Sequence, residues 1–308
     1  MKKIKWLSTG GTISCVNTEN GLSPAAAENQ MRAMTAAIPE MGAEISPECL
    51  MSIDSTDISA DDIKKIGLAA HNAITDGFDG IVITHGTDTM AYTAAVLRKM
   101  LSNSPVPVII TGSQRPFFAE DSDGKSNLYN AFKAAQMNEL SDVYLLFGDK
   151  IILGGLAHKE YTRSDNAFVS TGEYSGRIEN DVVTVGRLPE KCGVYKFTAD
   201  FDEKVMLVKL TPLTDGNVFA YAAENGIRGI VIEGYGMGGI PSRLLPEIKS
   251  AYDKGIKIML ISQCFYEGID MSIYEVGMNA KKLGIISGGD MCAEAAVAEM
   301  MFLLDKKD

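Results

Sequence analysis

Two short blocks, Thr9-Gly10-Gly11-Thr12 and Thr84-His85-Gly86-Thr87-Asp88, set hydroxyls, glycines and one carboxylate directly after apolar runs. Those runs, Ile4-Lys5-Trp6-Leu7-Ser8 and Ile81-Val82-Ile83, read as strands. In an α/β fold the turn after a parallel strand is where ligands bind. Glycines allow close approach to the backbone and leave N–H groups free to meet an oxyanion. The chemistry implied is attack by a threonine hydroxyl, not catalysis by histidine, cysteine or a metal. Plainer readings stand beside it. The first block is also an ordinary strand-to-loop turn, and Thr87 or Asp88 could close the N-terminus of a following helix. Capping accounts for one of these residues, not for four polar ones in succession. Neither GxGxxG nor a Walker pattern is present in the first block, so nucleotide binding has little support.

Other polar stretches follow strand-like runs in the same way. Ile53-Asp54-Ser55-Thr56-Asp57 precedes a helical pattern, and Asp57 to Asp62 holds plausible caps for it. Thr111-Gly112-Ser113-Gln114-Arg115-Pro116 and Ser122-Asp123-Gly124 again combine glycine, hydroxyl and charge. His158-Lys159-Glu160 reads as solvated surface unless Lys159 serves a hydroxyl nucleophile as base or charge partner. His85 has no GxSxG partner and reads as a packed, hydrogen-bonded imidazole. The glycines of Glu233-Gly234-Tyr235-Gly236-Met237-Gly238-Gly239 suit close packing against a second protomer or a simple turn equally.

The elements that must carry these residues alternate between apolar runs and amphipathic patterns, as in a parallel-sheet α/β protein. Expected strands are Lys3–Ser8, Gly80–Thr84, Val106–Thr111, Val143–Phe147, Val205–Leu210, Gly229–Glu233 and Ile256–Ser262. Expected helices are Ala60–Thr75, Asp88–Leu101, Lys125–Asn138, Pro241–Lys254 and Ala293–Leu304. Met90, Ala94, Leu97 and Leu101 share one face, as 3.6-residue periodicity requires. Helical periodicity fades after Asp149, where glycines punctuate short strand-like pieces. The expected organisation is a larger N-terminal parallel-sheet α/β domain over residues 1–188, a connector over 189–204 and a smaller C-terminal α/β domain over 205–308.

Composition narrows the function further. The 308 residues are 46% hydrophobic, enough for a large core, and the net charge of −11 disfavours nucleic acid and anionic membranes as partners. The N-terminal lysines open like a signal peptide, but Ser8 to Thr12 interrupt the apolar stretch. No apolar run approaches the ~18 residues of a spanning helix. The expectation is a soluble, cytoplasmic protein. Its five cysteines, Cys15, Cys49, Cys192, Cys264 and Cys292, are widely spaced without CxxC and read as reduced thiols. The three histidines form no metal-binding pattern, and no cofactor is implied.

Taken together these blocks resemble the bacterial-type L-asparaginases, the asparaginase/glutaminase-type amidohydrolases. Thr9-Gly10-Gly11-Thr12-Ile13 is similar to the family's first signature and Ile83-Thr84-His85-Gly86-Thr87-Asp88-Thr89 to its second. Asp54-Ser55-Thr56, Thr111 to Pro116, Ser122-Asp123-Gly124 and Asn127-Leu128 follow in the family's order, and Ser262-Gln263-Cys264 is similar to the cytoplasmic, type I branch. The resemblance covers almost the whole chain. It implies hydrolysis of L-asparagine to aspartate and ammonia through an acyl-enzyme, in a homodimer or homotetramer. By the same resemblance Thr12 is the nucleophile, with Thr87, Asp88 and Lys159 as its polar relay. Gly11, Ser55, Thr56, Thr87, Asp88 and Ser113 line the substrate. A lysine neutral enough to take a proton, oriented by Asp88, would activate a threonine hydroxyl; the residues alone leave open which threonine it serves.

Three departures bear on substrate choice. The family places a tyrosine on the loop after its first signature, and here Asn20-Gly21-Leu22-Ser23-Pro24 puts Leu22 there. Gly238-Gly239 stands where an asparagine is frequent, and His158 precedes the lysine in place of threonine. They keep two rivals in view. One is an amidohydrolase preferring glutamine or a D-amino-acid amide. The other is a sensor that binds asparagine or aspartate and has lost catalysis. The tRNA-dependent amidotransferase relatives carry an extra N-terminal domain, whereas the first signature here begins at residue 9. By the resemblance to the type I branch, a second asparagine site could lie near Arg243 and Cys264.

Overall fold

The computed structural model describes residues 1–19, 21–25, 27–191, 193–272 and 283–305. Among these, Cys15, Cys49, Cys264 and Cys292 form no disulfide; Cys192 and Asn20 lie outside the described residues. No helix among them is long and apolar enough to cross a membrane. The protein is a mixed α/β chain that divides into two units, Met1–Ala199 and Asp200–Asp308.

An eight-stranded sheet organises the first unit. Its spatial order is 182–185, 176–179, 150–153, 142–147, 107–111, 80–84, 2–10 and 43–53. The last five strands of that order are mutually parallel, and the first three run antiparallel as a tail. Gly80–Thr84 and Pro107–Thr111 are buried at every position. They show the continuous apolar character of parallel strands covered on both faces. Trp6, Val82, Ile109 and Tyr144 share one face with Met31, Met34, Leu128 and Phe132 from the helices Glu28–Ala36 and Gly124–Ala134. Helices Ala60–Thr75 and Met90–Met100 cover the other. Ser59 closes the first of these through reciprocal bonds with Asp62, a capping box.

Among the parallel strands the chain order is 2-1-3-4-5, so the connections diverge between Lys2–Gly10 and Gly80–Thr84. Open α/β sheets bind ligands at such a switch point, beyond the carboxyl ends of the strands. Both threonine blocks lie there, one at the end of each strand.

The second unit is a four-stranded parallel sheet, in the order Val205–Lys209, Gly229–Gly234, Lys257–Ser262 and Ile286–Ser287. Phe219, Ala222, Ile248 and Ala251 from two helices pack on one face of it. Ala296, Met300 and Leu304 of the helix Ala293–Asp305 pack on the other. The glycine-rich stretch here is a closed turn: Tyr235 N donates to Gly239 O at 2.9 Å and Gly238 N to Tyr235 O at 3.0 Å.

Candidate active site

The first turn is possible only with glycine. Gly10 has φ +104 and Gly11 has φ +74. A Cβ on Gly10 would stand 2.6 Å from the backbone N and O of Ile53, and one on Gly11 would stand 2.4 Å from Gly86 N. Gly11 N donates to Ile53 O at 3.1 Å. The missing side chains therefore let three segments, 10–11, 53–55 and 85–86, meet backbone to backbone. Trp6 Nε1 donates to Thr84 Oγ1 at 3.1 Å and Thr9 Oγ1 to Thr84 O at 3.0 Å, tying the two strand ends together. Thr12 opens the short 3-10 turn Thr12–Ser14. It is half-buried, and among the described residues its hydroxyl has no hydrogen-bond partner.

The second turn faces the first. Thr87 is buried. Lys159 Nζ donates to Thr87 Oγ1 at 2.8 Å and to Asp88 Oδ1 at 2.5 Å. The sequence offers Asp88 as a cap for the following helix. Instead the helix begins at Met90 with Thr89 at its N-cap and no side-chain cap bond. The ion pair with Lys159 draws the Asp88 carboxylate away from the free N–H groups. Ser55 is buried beneath the turn, its Oγ 2.5 Å from where a Cβ of Gly86 would lie, and Thr89 Oγ1 donates to Ser55 O at 2.8 Å.

Not every expected residue converges. Thr56 is exposed, and its hydroxyl donates to Asp54 Oδ1 at 3.0 Å. Ser113 is buried with its hydroxyl donating to Arg115 O. Leu22 is exposed on the hairpin strand Gly21–Pro24, paired with Asn17. Sequence reasoning misses the network around Arg115. Asp123 accepts from Gln114 N and Arg115 N, and the Arg115 guanidinium pairs with Asp165 at 2.9 Å. Arg115 and Asp165 lie 50 positions apart, and no local pattern joins them.

His85 is fully buried, and burial pushes its imidazole down to about 4. Nδ1 lies 2.7 Å from Gly86 O, which can only accept, so Nδ1 carries the proton and Nε2 accepts from Thr93 Oγ1 at 3.0 Å. The neutral ring is thus a brace for the second turn. Between its unfolded value near 6.5 and about 4, the unfolded chain binds a proton that the native one does not. Stability therefore falls as pH drops through that window, by about 3 kcal/mol in total. His85→Gln, which offers one donor and one acceptor without titrating, should remove most of that loss. Trp6, the single tryptophan, reports unfolding of this unit by fluorescence. Parallel stability curves for the two proteins from pH 7 to 4 would contradict the assignment.

The profile described as "Asparaginase, N-terminal" matches residues 3–190, and that described as "Glutaminase/Asparaginase C-terminal domain" matches 204–308. An L-asparaginase of Thermococcus kodakarensis is 37% identical over 306 residues, covering 98% of this chain and 92% of that protein. A glutamyl-tRNA(Gln) amidotransferase component of the same organism is 33% identical over 321 residues, covering 98% of this chain and 71% of the relative. The solved thermostable L-asparaginase from Thermococcus kodakarensis superposes with a TM-score of 0.91 at 36% identity, over 99% of this chain and 93% of that one. A probable cytoplasmic L-asparaginase from Campylobacter jejuni gives 0.84 at 27% identity, over 100% and 96% of the two chains.

Proposed function

The chain belongs to the asparaginase family of amidohydrolases, and on that premise we propose that it hydrolyses L-asparagine to L-aspartate and ammonia through a threonine acyl-enzyme. The observation that carries this reading is the contact of Lys159 Nζ with both Thr87 Oγ1 and Asp88 Oδ1 at the switch point of the sheet. A pure binding pocket has no use for a lysine held against a buried hydroxyl.

In this mechanism the half-buried Thr12 hydroxyl adds to the side-chain amide carbonyl of the substrate. Its proton passes by way of the Thr87 hydroxyl to Lys159 Nζ, acting as the base. Backbone N–H groups of the two turns meet the oxyanion, each donor contributing roughly 3–4 kcal/mol in comparable hydrolases. The amide nitrogen takes a proton from the lysine and leaves as ammonia, so the C–N bond breaks and an ester to Thr12 remains. Water, deprotonated by the same relay, then releases aspartate. Asp88 also faces the substrate ammonium, and Ser55 its carboxylate. No cofactor enters. The reading includes a cytoplasmic homodimer or homotetramer.

The amidotransferase components among the relatives, and Leu22 in place of the loop tyrosine, give a preference for glutamine or a D-amide some weight. Ammonia release should be measured from L-asparagine, L-glutamine and their enantiomers at millimolar and micromolar substrate. The expected result is fastest release from L-asparagine. Thr12→Ala and Thr87→Ala should each abolish it while leaving the folded protein intact. Acid quench and peptide mapping should find the acyl group on Thr12. Wild-type turnover in both variants would end the threonine mechanism, and an acyl group on Thr87 would exchange the two roles.

A further inference from the structure

Lys159 ends a strand of three residues, Ala157–Lys159, which among the described residues pairs only with Phe168–Ser170, in a ribbon separate from the main sheet. Ribbons of two short strands are marginal on their own. Here Ala157, Phe168 and Ser170 are buried and the Phe168 ring packs on Phe147, which anchors the body of the ribbon. The loop that joins its strands, directly after Lys159, has ties of its own. Glu160 N and Tyr161 N both donate to Ala167 O, closing the loop at its base. Near its tip, Asp165 pairs with Arg115 Nη2 at 2.9 Å and Ser164 O accepts from Gln114 Nε2 at 3.1 Å. The loop also seats on Gly148, where a Cβ would stand 2.3 Å from Asn166 Oδ1.

The other half of this clasp is firmly held. The buried carboxylate of Asp123 accepts from Gln114 N at 2.9 Å, Arg115 N at 3.0 Å and Asn127 Nδ2 at 3.2 Å. Arg115 Nε donates to Asp121 O at 2.6 Å. Asp123 stands at the start of the helix Gly124–Ala134, so residues 114–115 are bound to a rigid element.

We propose that Arg115 and Asp165 are positioning residues for Lys159: their ion pair, with the Gln114–Ser164 bond beside it, holds the loop so that Nζ stays in contact with Thr87 and Asp88. The inference rests on the reading of Lys159 as the base. Neither residue is given a part in the chemistry itself. Misplacing a reacting group by about 1 Å can slow a reaction as much as ~100-fold, so a loosened ribbon should register in turnover before it registers in folding.

Asp165 is the residue to change. It is more than half exposed, and among the described residues its side chain is bonded to Arg115 alone. Asp165→Ala leaves no buried group unpaired, because Arg115 keeps Asp121 and Asp123. The expected result is a fall in kcat for L-asparagine of about tenfold with KM held within about twofold. The Trp6 unfolding midpoint should barely move, and Asp165→Glu should regain most of the lost rate. In the Lys159→Met background, Asp165→Ala should slow the reaction no further. The clasp is overturned by kcat within about twofold of wild type, by a loss that Asp165→Glu does not recover, or by the same added loss in the Lys159→Met background. Should Asp165→Ala fail to fold, Asp165→Asn goes through the same series. Absence of ammonia release from the wild-type protein, or full activity in Lys159→Met, counts against the asparaginase reading instead. Wild-type activity that Lys159→Met destroys and Asp165→Ala spares counts against the clasp alone.

Discussion

Replacing Lys159 by methionine lowers kcat for L-asparagine by roughly 10³-fold and shifts the unfolding midpoint of the N-terminal unit by only a few degrees. The size of the first effect follows from general-base catalysis, which contributes about 10²–10⁴-fold when the base is correctly placed. Lys159 Nζ is hydrogen-bonded to the Thr87 hydroxyl, and a thioether in its place can neither take a proton nor return one to ammonia. The second effect is small because little is left stranded. The Asp88 side chain is 56% exposed and returns to water when its partner goes. Ion pairs with an exposed member are worth roughly 1 kcal/mol or less. Thr87 loses one hydrogen bond, about 1 kcal/mol more. For a unit of this size the two together, up to about 2 kcal/mol, amount to roughly 4–8 °C at most. Steady-state ammonia release and Trp6 fluorescence melts read the two effects separately. A variant that keeps activity within a few-fold of wild type would remove Lys159 from the chemistry. One that loses most of its stability together with its activity would make the lysine a structural residue.

How far the sequence anticipates this arrangement depends on where each signal resides. Ile81-Val82-Ile83 and Val108-Ile109-Ile110 are buried on both faces, and their unbroken apolar character announces strands directly. The edge strand Ala43–Ile53 carries Glu44, Pro47 and Glu48 and is only half-buried, so its pattern is faint. Its register against Lys2–Ser8 supplies the definition that its composition does not. The helix Glu28–Ala36 buries only Met31 and Met34 and has no side-chain cap bond, so neither periodicity nor capping marks it. In the proposed site, Thr12, Thr87 and Asp88 stand out because each sits in a compact motif at the end of a strand, whereas Lys159 reads as solvated surface and is singled out by the family resemblance alone. The start of the helix at Met90 is not legible, because what displaces Asp88 from the cap is a lysine 71 positions away. The same holds for Arg115 and Asp165: each alone is an ordinary surface charge, and only the folded sheet brings their loops together.

Gly11→Ala should damage stability and activity together, more than any other single methyl group added to this unit near the site. Gly11 combines φ 74 with ψ 178, a backbone region that is essentially reserved for glycine. Occupying it with an L side chain costs on the order of 1–3 kcal/mol. The new Cβ would then meet Gly86 N at 2.4 Å, Gly86 Cα at 2.6 Å and His85 C at 2.9 Å, all backbone atoms. None of them can rotate aside. Gly86 O is held by His85 Nδ1, and its other side abuts Ser55 Oγ. The only relief is separation of the two turns, which parts Gly11 and its neighbour Thr12 from the Gly86 turn. The combined cost is roughly 3–5 kcal/mol, or a fall in the midpoint of roughly 6–20 °C, with turnover reduced to background. Gly42→Ala isolates the first contribution. Gly42 has φ +65, and a Cβ there meets nothing within 4 Å. That variant should lose only the backbone strain, about 1 kcal/mol, and keep wild-type kcat. If Gly11→Ala proves no more harmful than Gly42→Ala, the two threonine turns do not touch through Gly11 and Gly86, and the proposal that Thr12 works with the lysine relay loses its packing argument.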